Sequence, residues 1–151
     1  MKIGIGNDHA AVEMKNIIVK HLLERKYEVI NYGTDSTDPY DYPLAGEKVA
    51  MAVKNKEVDL GIAICGTGLG ISISCNKVKG IRASCVADPT SARFTKAQNN
   101  ANVICFGAKI VGPLIACDIV DAFLETEFRS DVERYVTRIN QITEIEEKEL
   151  L

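Results

Sequence analysis

The segment Cys65–Gly70 (CGTGLG), in which one cysteine precedes three glycines at alternate positions, is the part of this sequence best suited to chemistry. It directly follows the short apolar run Leu60–Ile64. Glycines let the backbone turn tightly and bring its N–H groups close to a ligand, and a helix that begins after such a turn adds partial positive charge. The segment therefore predicts a pocket for an oxyanion or a phosphate. The alternative is a glycine-rich turn that binds nothing.

Cys65 has a context that the other cysteines lack. A thiol beside such N–H groups can exist partly as the thiolate, which is the reactive form, although a packed, inert thiol is the alternative. Thr67 could orient the thiol or a substrate hydroxyl, or serve as a turn residue. The remaining cysteines form no CxxC pair and have no histidines at zinc-ligand spacing, so we predict mostly buried free thiols and no metal site: Cys75, Cys85, Cys105 and Cys117.

The glycines do not match the known nucleotide-binding patterns. No Gly-Lys-Ser/Thr follows Gly66, and the alternate spacing does not fit G-x-G-x-x-G. The N-terminal pair Gly4 and Gly6 also fails, because His9 stands where the third glycine should be. A nucleotide cofactor, and with it a nucleotide-dependent oxidoreductase, is disfavoured.

Apolar periodicity predicts five short strands that alternate with helices. The predicted strands are Lys2–Asn7, Glu28–Tyr32, Leu60–Ile64, Arg82–Val86 and Val103–Phe106. The predicted helices are Ala10–Lys26, Leu44–Lys56, Ile71–Lys77, Thr90–Gln98, Pro113–Leu124 and a charged amphipathic helix from about Val132 to Leu151. This alternation indicates a three-layer, Rossmann-like α/β fold with a parallel five-stranded sheet and helices on both faces. We expect one domain over residues 1–151.

Ligands of such sheets bind beyond the carboxyl ends of the strands, so polar residues that follow strands are candidates. Asp8 and His9 follow the first strand, with a helix cap as the alternative role, and Asp88 follows the fourth. The segment 98–102 lies just before the fifth strand. Arg134 and Arg138 are four residues apart, which places both on one helix face suited to a phosphate, unless that face is only solvated. His21 is predicted to be a surface helix residue.

The net charge and the distribution of apolar residues exclude several classes of function. The net charge is −3 with scattered Lys and Arg, which does not suit a nucleic acid. No apolar run approaches the length of about 20 residues that a membrane span needs, and the N-terminus turns polar too soon for a signal peptide. We expect a cytoplasmic protein whose anionic ligand is held by local charges.

A set of motifs, in order along nearly the whole chain, resembles the type B ribose-5-phosphate isomerase family, which also contains the galactose-6-phosphate isomerase subunits. The motifs are Asn7-Asp8-His9, Asp41-Tyr42-Pro43, Ile64–Ser72, Asn76-Lys77, Gly80–Ala83, Asn99–Val103 and Gly107 through Gly112. Of these, the stretch Cys65–Ser72 is the most specific.

The resemblance implies a role for each matching position. Cys65 matches the base that moves a proton between C1 and C2 through a cis-enediolate, and Thr67 lies beside it. The anion hole for the enediolate oxygen is matched by Gly66, Gly68, Leu69 and Gly70. Residues that bind the sugar hydroxyls and phosphate are matched by Asp8, His9, Asn100, Arg134 and Arg138, and Lys109 stands where many members carry an arginine. The family uses no metal or organic cofactor and builds its sites across a dimer interface.

The chain departs from the family pattern at Asn99, where many members have a ring-opening histidine. Asparagine has no titratable proton near neutral pH, so it can hydrogen-bond a ring oxygen but cannot act as an acid or base. Another group such as His9 could open the ring, the enzyme could act on open-chain sugar, or a partner chain could supply the group. A second departure is Arg129–Val132, which replaces a glycine-rich approach to the arginines.

The predicted function is the isomerisation of ribose 5-phosphate and ribulose 5-phosphate by a homodimer or tetramer. A hexose 6-phosphate (galactose or allose) is the second candidate, with a hetero-oligomer as one possible assembly. A non-catalytic module that binds sugar phosphates is the competing class, and retention of Cys65 argues against it. The C-terminal helix is expected to pack on a partner subunit.

Overall fold

The computed structural model describes residues 1–149, and these form a parallel sheet covered by helices. The strands are β1 (Lys2–Asn7), β2 (Glu28–Asn31), β3 (Leu60–Cys65), β4 (Ala83–Cys85) and β5 (Val103–Gly107). The helices are α1 (Val12–Glu24), α2 (Tyr42–Lys54), α3 (Leu69–Cys75), α4 (Pro89–Asn99), α5 (Pro113–Leu124) and α6 (Glu133–Glu149), and a 3₁₀ turn over His9–Ala11 precedes α1. The predicted parallel α/β fold is confirmed.

The strand order is β2-β1-β3-β5-β4, so β3 lies at the centre of the sheet. The register aligns Gly61 with Val103 near the start of these two strands and Cys65 with Gly107 at their ends. Because every pair is parallel, all carboxyl ends meet at one edge of the sheet. Cys65 therefore lies at the carboxyl edge of the central strand.

Alternate strand residues form two apolar cores, one on each face of the sheet. On one face Ile62 and Phe106 pack with residues of α1, α4 and α5. On the other face Ala63 and Cys105 pack with residues of α2 and α3. Helices on both faces were predicted from the alternation of elements, and the two cores confirm them.

Several predicted boundaries differ from the observed ones by one or two residues. Strand β3 continues to Cys65, and α3 begins at Leu69, so the turn between them is only Gly66–Gly68 rather than Cys65–Gly70. The first predicted helix begins as a 3₁₀ turn. The end of the predicted C-terminal helix, residues 150 and 151, lies outside the described residues.

His21 is not a free surface residue, contrary to the prediction. Its Nε2 lies 2.7 Å from Asp121 Oδ1, and Arg25 donates to the other oxygen of Asp121 at 2.6 Å. The side chains of His21 and Asp121 are 15% and 18% exposed. These contacts join α1 to α5 over 100 positions of sequence, which helical periodicity cannot reveal.

Helix α6 has few contacts with its own chain. Glu146 accepts a hydrogen bond from the Gly80 N–H at 2.9 Å, but none of the residues within Glu133–Glu149 is buried. Ile142 and Ile145 on this helix are 45% and 62% exposed. No helix in the described part of the chain combines the length and apolarity needed to cross a membrane.

Candidate active site

The sulfur of Cys65 receives a backbone hydrogen bond from the turn that follows it. The Gly68 N–H donates to Cys65 Sγ with an N–S distance of 3.1 Å. An N–H donor directed at sulfur stabilises a thiolate more than a thiol. The sequence predicted that backbone N–H groups of the glycine-rich segment lie beside this cysteine. The Gly68 N–H does so, since it points at the sulfur itself.

Gly68 can hold this position only because it is glycine. Its φ is +79°, in the left-handed region, and it caps the start of α3. A Cβ added here would lie 2.6 Å from the backbone carbonyl carbon of Phe106, closer than atoms can pack. The turn is thus pressed against β5 with its N–H directed at the sulfur.

Cys65 is itself only 3% exposed, because it belongs to the core on the α2 and α3 face. The outer part of the turn is open, since Thr67 and Leu69 are exposed. The Leu69 N–H donates to Thr67 Oγ1 at 3.3 Å, so Thr67 acts as a turn residue and keeps its hydroxyl hydrogen for another partner. The sulfur is therefore buried behind a turn whose outer residues are exposed.

The other cysteines differ from Cys65 in their surroundings. Cys75 and Cys105 are buried, as predicted for most of the cysteines, while Cys117 is half-buried and Cys85 is exposed. A hydrogen bond with Cys75, together with burial, raises the pKa of Cys105 well above its ordinary value. The pKa of Cys85 is also raised, chiefly because its sulfur is partly shielded from solvent and to a smaller extent because Cys65 is close by. Both remain neutral thiols near pH 7.

Asp8 and His9 follow β1 at the same edge of the sheet as Cys65. The Asp8 N–H donates to Ile64 O at 3.3 Å, which joins the ends of β1 and β3. Asp8 is 6% exposed, and its Oδ1 accepts the Ala10 N–H at 3.0 Å. The helix-cap role considered for Asp8 is thus present at this edge of the sheet.

His9 is exposed, and its ring is oriented by the backbone of Tyr40. Nδ1 lies 3.0 Å from the Tyr40 nitrogen and 3.1 Å from the Tyr40 carbonyl oxygen. A neutral ring whose Nδ1 accepts the Tyr40 N–H carries its ring hydrogen on Nε2, whereas the other tautomer would donate from Nδ1 to the Tyr40 carbonyl. We expect the first tautomer. Nε2–H is then available to an oxygen of a ligand.

Lys109 completes the carboxyl edge. The Lys109 N–H donates to Gly66 O and the Ala108 N–H to Cys65 O, both at 2.9 Å. The methylene carbons of Lys109 run beside Gly66, with Cδ 3.6 Å from the position of an added Cβ. A cavity of about 280 Å³ opens nearby and is lined by Ala10, Glu13, Met14, Ile17, Ala108, Val111, Gly112 and Pro113. Cys65 is not among these lining residues.

Asn99 and Asn100 lie at the opposite, amino edge of the sheet. They end α4 just before β5. The backbone of Asn100 is in the left-handed conformation (φ 48°), and its N–H donates to Thr95 O. The Asn100 carbonyl accepts a hydrogen bond from Arg82 Nε at 2.9 Å. Asn100 therefore serves as a helix cap, and Asn99 is exposed beside it.

Arg134 and Arg138 lie near the same amino edge. The Arg129 N–H donates to Ala97 O at 2.9 Å, which holds the start of the C-terminal segment against the end of α4. Both arginines are exposed, and they line one cleft of about 380 Å³ together with Glu133, Thr137 and Gln141. The prediction that they share one helix face is confirmed.

A single chain therefore does not bring all the predicted site residues together. The carboxyl-edge group contains Asp8, His9, Cys65, Gly66, Thr67, Gly68, Leu69, Gly70 and Lys109. The amino-edge group contains Asn99, Asn100, Arg134 and Arg138. The two edges are separated by the length of β5, about 13 Å at roughly 3.3 Å per residue over four residues.

The chain matches the model of a family described as Ribose/Galactose Isomerase over residues 3–142. It belongs to this ribose/galactose isomerase family. Ribose-5-phosphate isomerase B of Escherichia coli is 46% identical over 147 residues, which cover 97% of each chain. A galactose-6-phosphate isomerase subunit of Clostridium acetobutylicum is 43% identical over 129 residues, covering 85% of this chain and 75% of the relative.

A solved member of the ribose/galactose isomerase family has the same fold. The structure of Clostridium thermocellum ribose-5-phosphate isomerase B superposes with a TM-score of 0.95 at 49% identity, covering 98% of this chain and 99% of that one. The family resemblance inferred from the motifs is therefore confirmed, over nearly the full chain.

Two residues beside the candidate site of this chain were not predicted from its sequence. The Tyr42 ring lies against Gly70, where an added Cβ would be 2.6 Å from the ring. The motif Asp41-Tyr42-Pro43 could have drawn attention to it. Tyr40 orients His9 through backbone atoms alone, so no side-chain pattern could have indicated it.

Proposed function

We propose that this chain is an aldose–ketose isomerase of a phosphorylated sugar, with ribose 5-phosphate and ribulose 5-phosphate as its substrate pair. The observation that carries the proposal is the 3.1 Å hydrogen bond from the Gly68 N–H to Cys65 Sγ, in a chain of the ribose/galactose isomerase family. The five free thiols accord with the reducing cytoplasm as its location.

In the proposed mechanism the Cys65 thiolate removes the proton from C2 of the open-chain aldose and returns it to C1. The C2 hydroxyl passes its proton to the C1 oxygen between these two steps, so the carbonyl moves from C1 to C2. The intermediate is a cis-enediolate whose negative charge develops on the C1 oxygen. The first N–H groups of α3 have no carbonyl partner within the helix, so those of Gly70 and Ile71 can bind that oxygen. Thr67 and the Nε2–H of His9 hold the sugar oxygens.

The phosphate requires more positive charge than the carboxyl-edge group offers. Lys109 is the lysine of the carboxyl-edge group, whereas Arg134 and Arg138 lie at the amino edge. In a two-fold dimer the amino-edge group of one chain can face the carboxyl-edge group of the other, and symmetry then creates two equal sites. The exposed Ile142 and Ile145 on α6, together with the exposed Ile73 on α3, are apolar surface that such a partner would cover.

The substrate is tested with the purified protein and two sugar phosphates. We expect turnover of ribose 5-phosphate with a higher kcat/KM than galactose 6-phosphate, measured by formation of the ketose phosphate. Faster turnover of galactose 6-phosphate would instead assign the chain to the hexose branch, in line with its similarity to a galactose-6-phosphate isomerase subunit. Binding of both sugars without turnover would contradict an isomerase that acts as a single kind of chain.

The shared site predicts complementation between two inactive variants. Cys65→Ala removes the base from one group and Arg134→Ala removes a phosphate ligand from the other. After the two proteins are mixed and allowed to exchange subunits, half of the dimers contain one intact site of two. Activity should then return to about a quarter of the wild-type value.

The control for complementation is a mixture of Cys65→Ala with Lys109→Ala, in which both changes lie in the carboxyl-edge group. Each mixed dimer then has one defect in each site, so activity should not rise above the mean of the two variants. Recovery in this control equal to that of the first mixture would contradict a site shared between subunits.

A further inference from the structure

Lys15 is a buried cation that the proposed mechanism does not use. It lies in the first turn of α1 and is 1% exposed, although lysine is almost never fully buried without a partner. Its ammonium group donates to Asp35 Oδ1. Asp35 is exposed and also accepts a hydrogen bond from Asn31 Nδ2 at 3.0 Å.

Asp35 belongs to the segment 33–41, which lies between β2 and α2 and forms no helix or strand. Its first residues are attached to β1, because Asn7 Nδ2 donates to Thr34 O at 3.0 Å. Asp35 adds an ionic attachment to α1. The start of the segment is therefore held to both elements that flank Asp8 and His9.

The far end of the same segment orients His9. Tyr40 supplies the backbone N–H and carbonyl that contact Nδ1, and Lys48 of α2 donates to the Tyr40 hydroxyl at 3.0 Å. The position of the His9 ring thus depends on where the segment 33–41 places its backbone at Tyr40.

The geometry points to Lys15 and Asp35 as positioning residues for His9, which act through the segment 33–41. This inference rests on the proposed function, in which His9 binds an oxygen of the sugar phosphate. Because Lys15 is buried, loss of the Asp35 charge leaves an unpaired ammonium that must move to reach water. That movement releases the segment and with it the Tyr40 backbone, so the His9 ring loses its fixed orientation.

The pair is asymmetric, which distinguishes it from ordinary surface ion pairs of little energetic consequence. The Lys15 side chain is 2% exposed and that of Asp35 is 78% exposed. The hydrogen bond and the charge of Lys15 lower the pKa of Asp35, so the carboxylate remains ionised near neutral pH. Lys15 is the buried member of the pair, and Asp35 is the exposed member that can be replaced.

The test compares Asp35→Asn with Asp38→Asn, which makes the same chemical change three residues along in the same segment. Asp38 is exposed, and its backbone N–H bonds to Ser36 Oγ whatever its side chain. We expect Asp35→Asn to raise the KM for ribose 5-phosphate about tenfold with kcat little changed, since a binding contact and not the base is disturbed. Asp38→Asn should match the wild type, and Asp35→Glu should restore most of the lost affinity.

A second readout reports on the ring of His9 directly. The chain has two histidines, so His21→Gln assigns the ¹⁵N resonances of His9. The wild type should show the tautomer with hydrogen on Nε2, and Asp35→Asn should show a mixture of tautomers. Asp38→Asn again serves as the control.

If Asp35→Asn does not fold, Lys15→Met provides the same test, because an apolar side chain of similar length is tolerated in a buried position. It should show the same rise in KM and the same loss of the single His9 tautomer. An unchanged KM and an unchanged His9 spectrum in the folded variants would overturn the inference while wild-type turnover leaves the proposed function standing. If the wild type itself turns over no sugar phosphate, the proposed function fails, and the His9 spectra alone decide the positioning claim.

Discussion

Cys65→Ser is expected to lower kcat for the sugar phosphate by about 10²–10⁴-fold, the range that one general base contributes. Serine keeps the size and the hydrogen-bond acceptor, but its hydroxyl is far less acidic than a thiol. The Gly68 N–H that stabilises the sulfur cannot compensate for this difference. KM should change little, because the groups proposed to bind the sugar and phosphate remain in place.

A matched control for Cys65→Ser is available within the same chain. Cys117 lies on α5, away from the turn, so Cys117→Ser should keep nearly full activity. A Cys65→Ser protein with wild-type kcat would show that another group transfers the proton. The mechanism proposed for this site would then be wrong.

Alkylation with iodoacetamide tests the access to Cys65, which is 3% exposed in the single chain. In the Cys85→Ser background, modification of Cys65 should proceed with loss of activity, and ribose 5-phosphate should slow both to the same extent. Mass spectrometry of the peptides locates the modified residue. Modification of Cys117 without modification of Cys65 would show that the sulfur cannot be reached.

Gly68→Ala is expected to cost about 2–5 kcal/mol of the free energy of unfolding, the sum of two effects. A left-handed residue with a Cβ costs about 1–2 kcal/mol, and a forced contact in a packed region about 1–3 kcal/mol. The contact is with the Phe106 backbone of β5, which cannot rotate away as a side chain can. Because the same turn aims the Gly68 N–H at Cys65, activity should fall further than the folded fraction does.

Two other glycines separate these effects in urea unfolding measurements. Gly80 has φ +85° and open space around its Cβ position, so Gly80→Ala should show the left-handed cost alone. Gly112 has φ −77° and no atom within 4 Å of its Cβ position, so Gly112→Ala should cost least. If Gly68→Ala were no less stable than Gly80→Ala, the close approach to Phe106 would carry no energetic weight.

The motifs could be identified from the sequence because their residues are consecutive. The residue order in Ile64–Ser72 predicts both the family and a sulfur next to backbone amides. In the structure the Gly68 N–H donates a hydrogen bond to that sulfur. The end of β3 was misplaced by one residue, since nothing local distinguishes Ile64 from Cys65 as the last strand residue. The segment 33–41 lies between the predicted second strand and second helix, but its role in orienting His9 depends on a backbone contact 31 residues apart in sequence.

The division of the site between two edges follows from one detail of chain order. Residues that follow a parallel strand lie at the carboxyl edge, as Asp8 and Cys65 do, whereas Asn99 and Asn100 precede β5 and lie at the other edge. The sequence contained this information, because both asparagines come before the predicted fifth strand. The place of Arg134 and Arg138 was not accessible in this way, since α6 follows no strand directly and its position depends on contacts such as Glu146 with Gly80.

The sequence by itself determined the parallel α/β architecture, the family and the residue types that chemistry requires. These features can be recognised from the periodicity of apolar residues and from motifs of consecutive residues. Both arise from interactions between residues that are close in sequence. The tertiary structure decided that Cys65 is buried in the core, that His21 is paired with Asp121, and that the two groups of site residues lie apart. Those features come from contacts between residues far apart in sequence, whose geometry is set only when helices pack on the sheet.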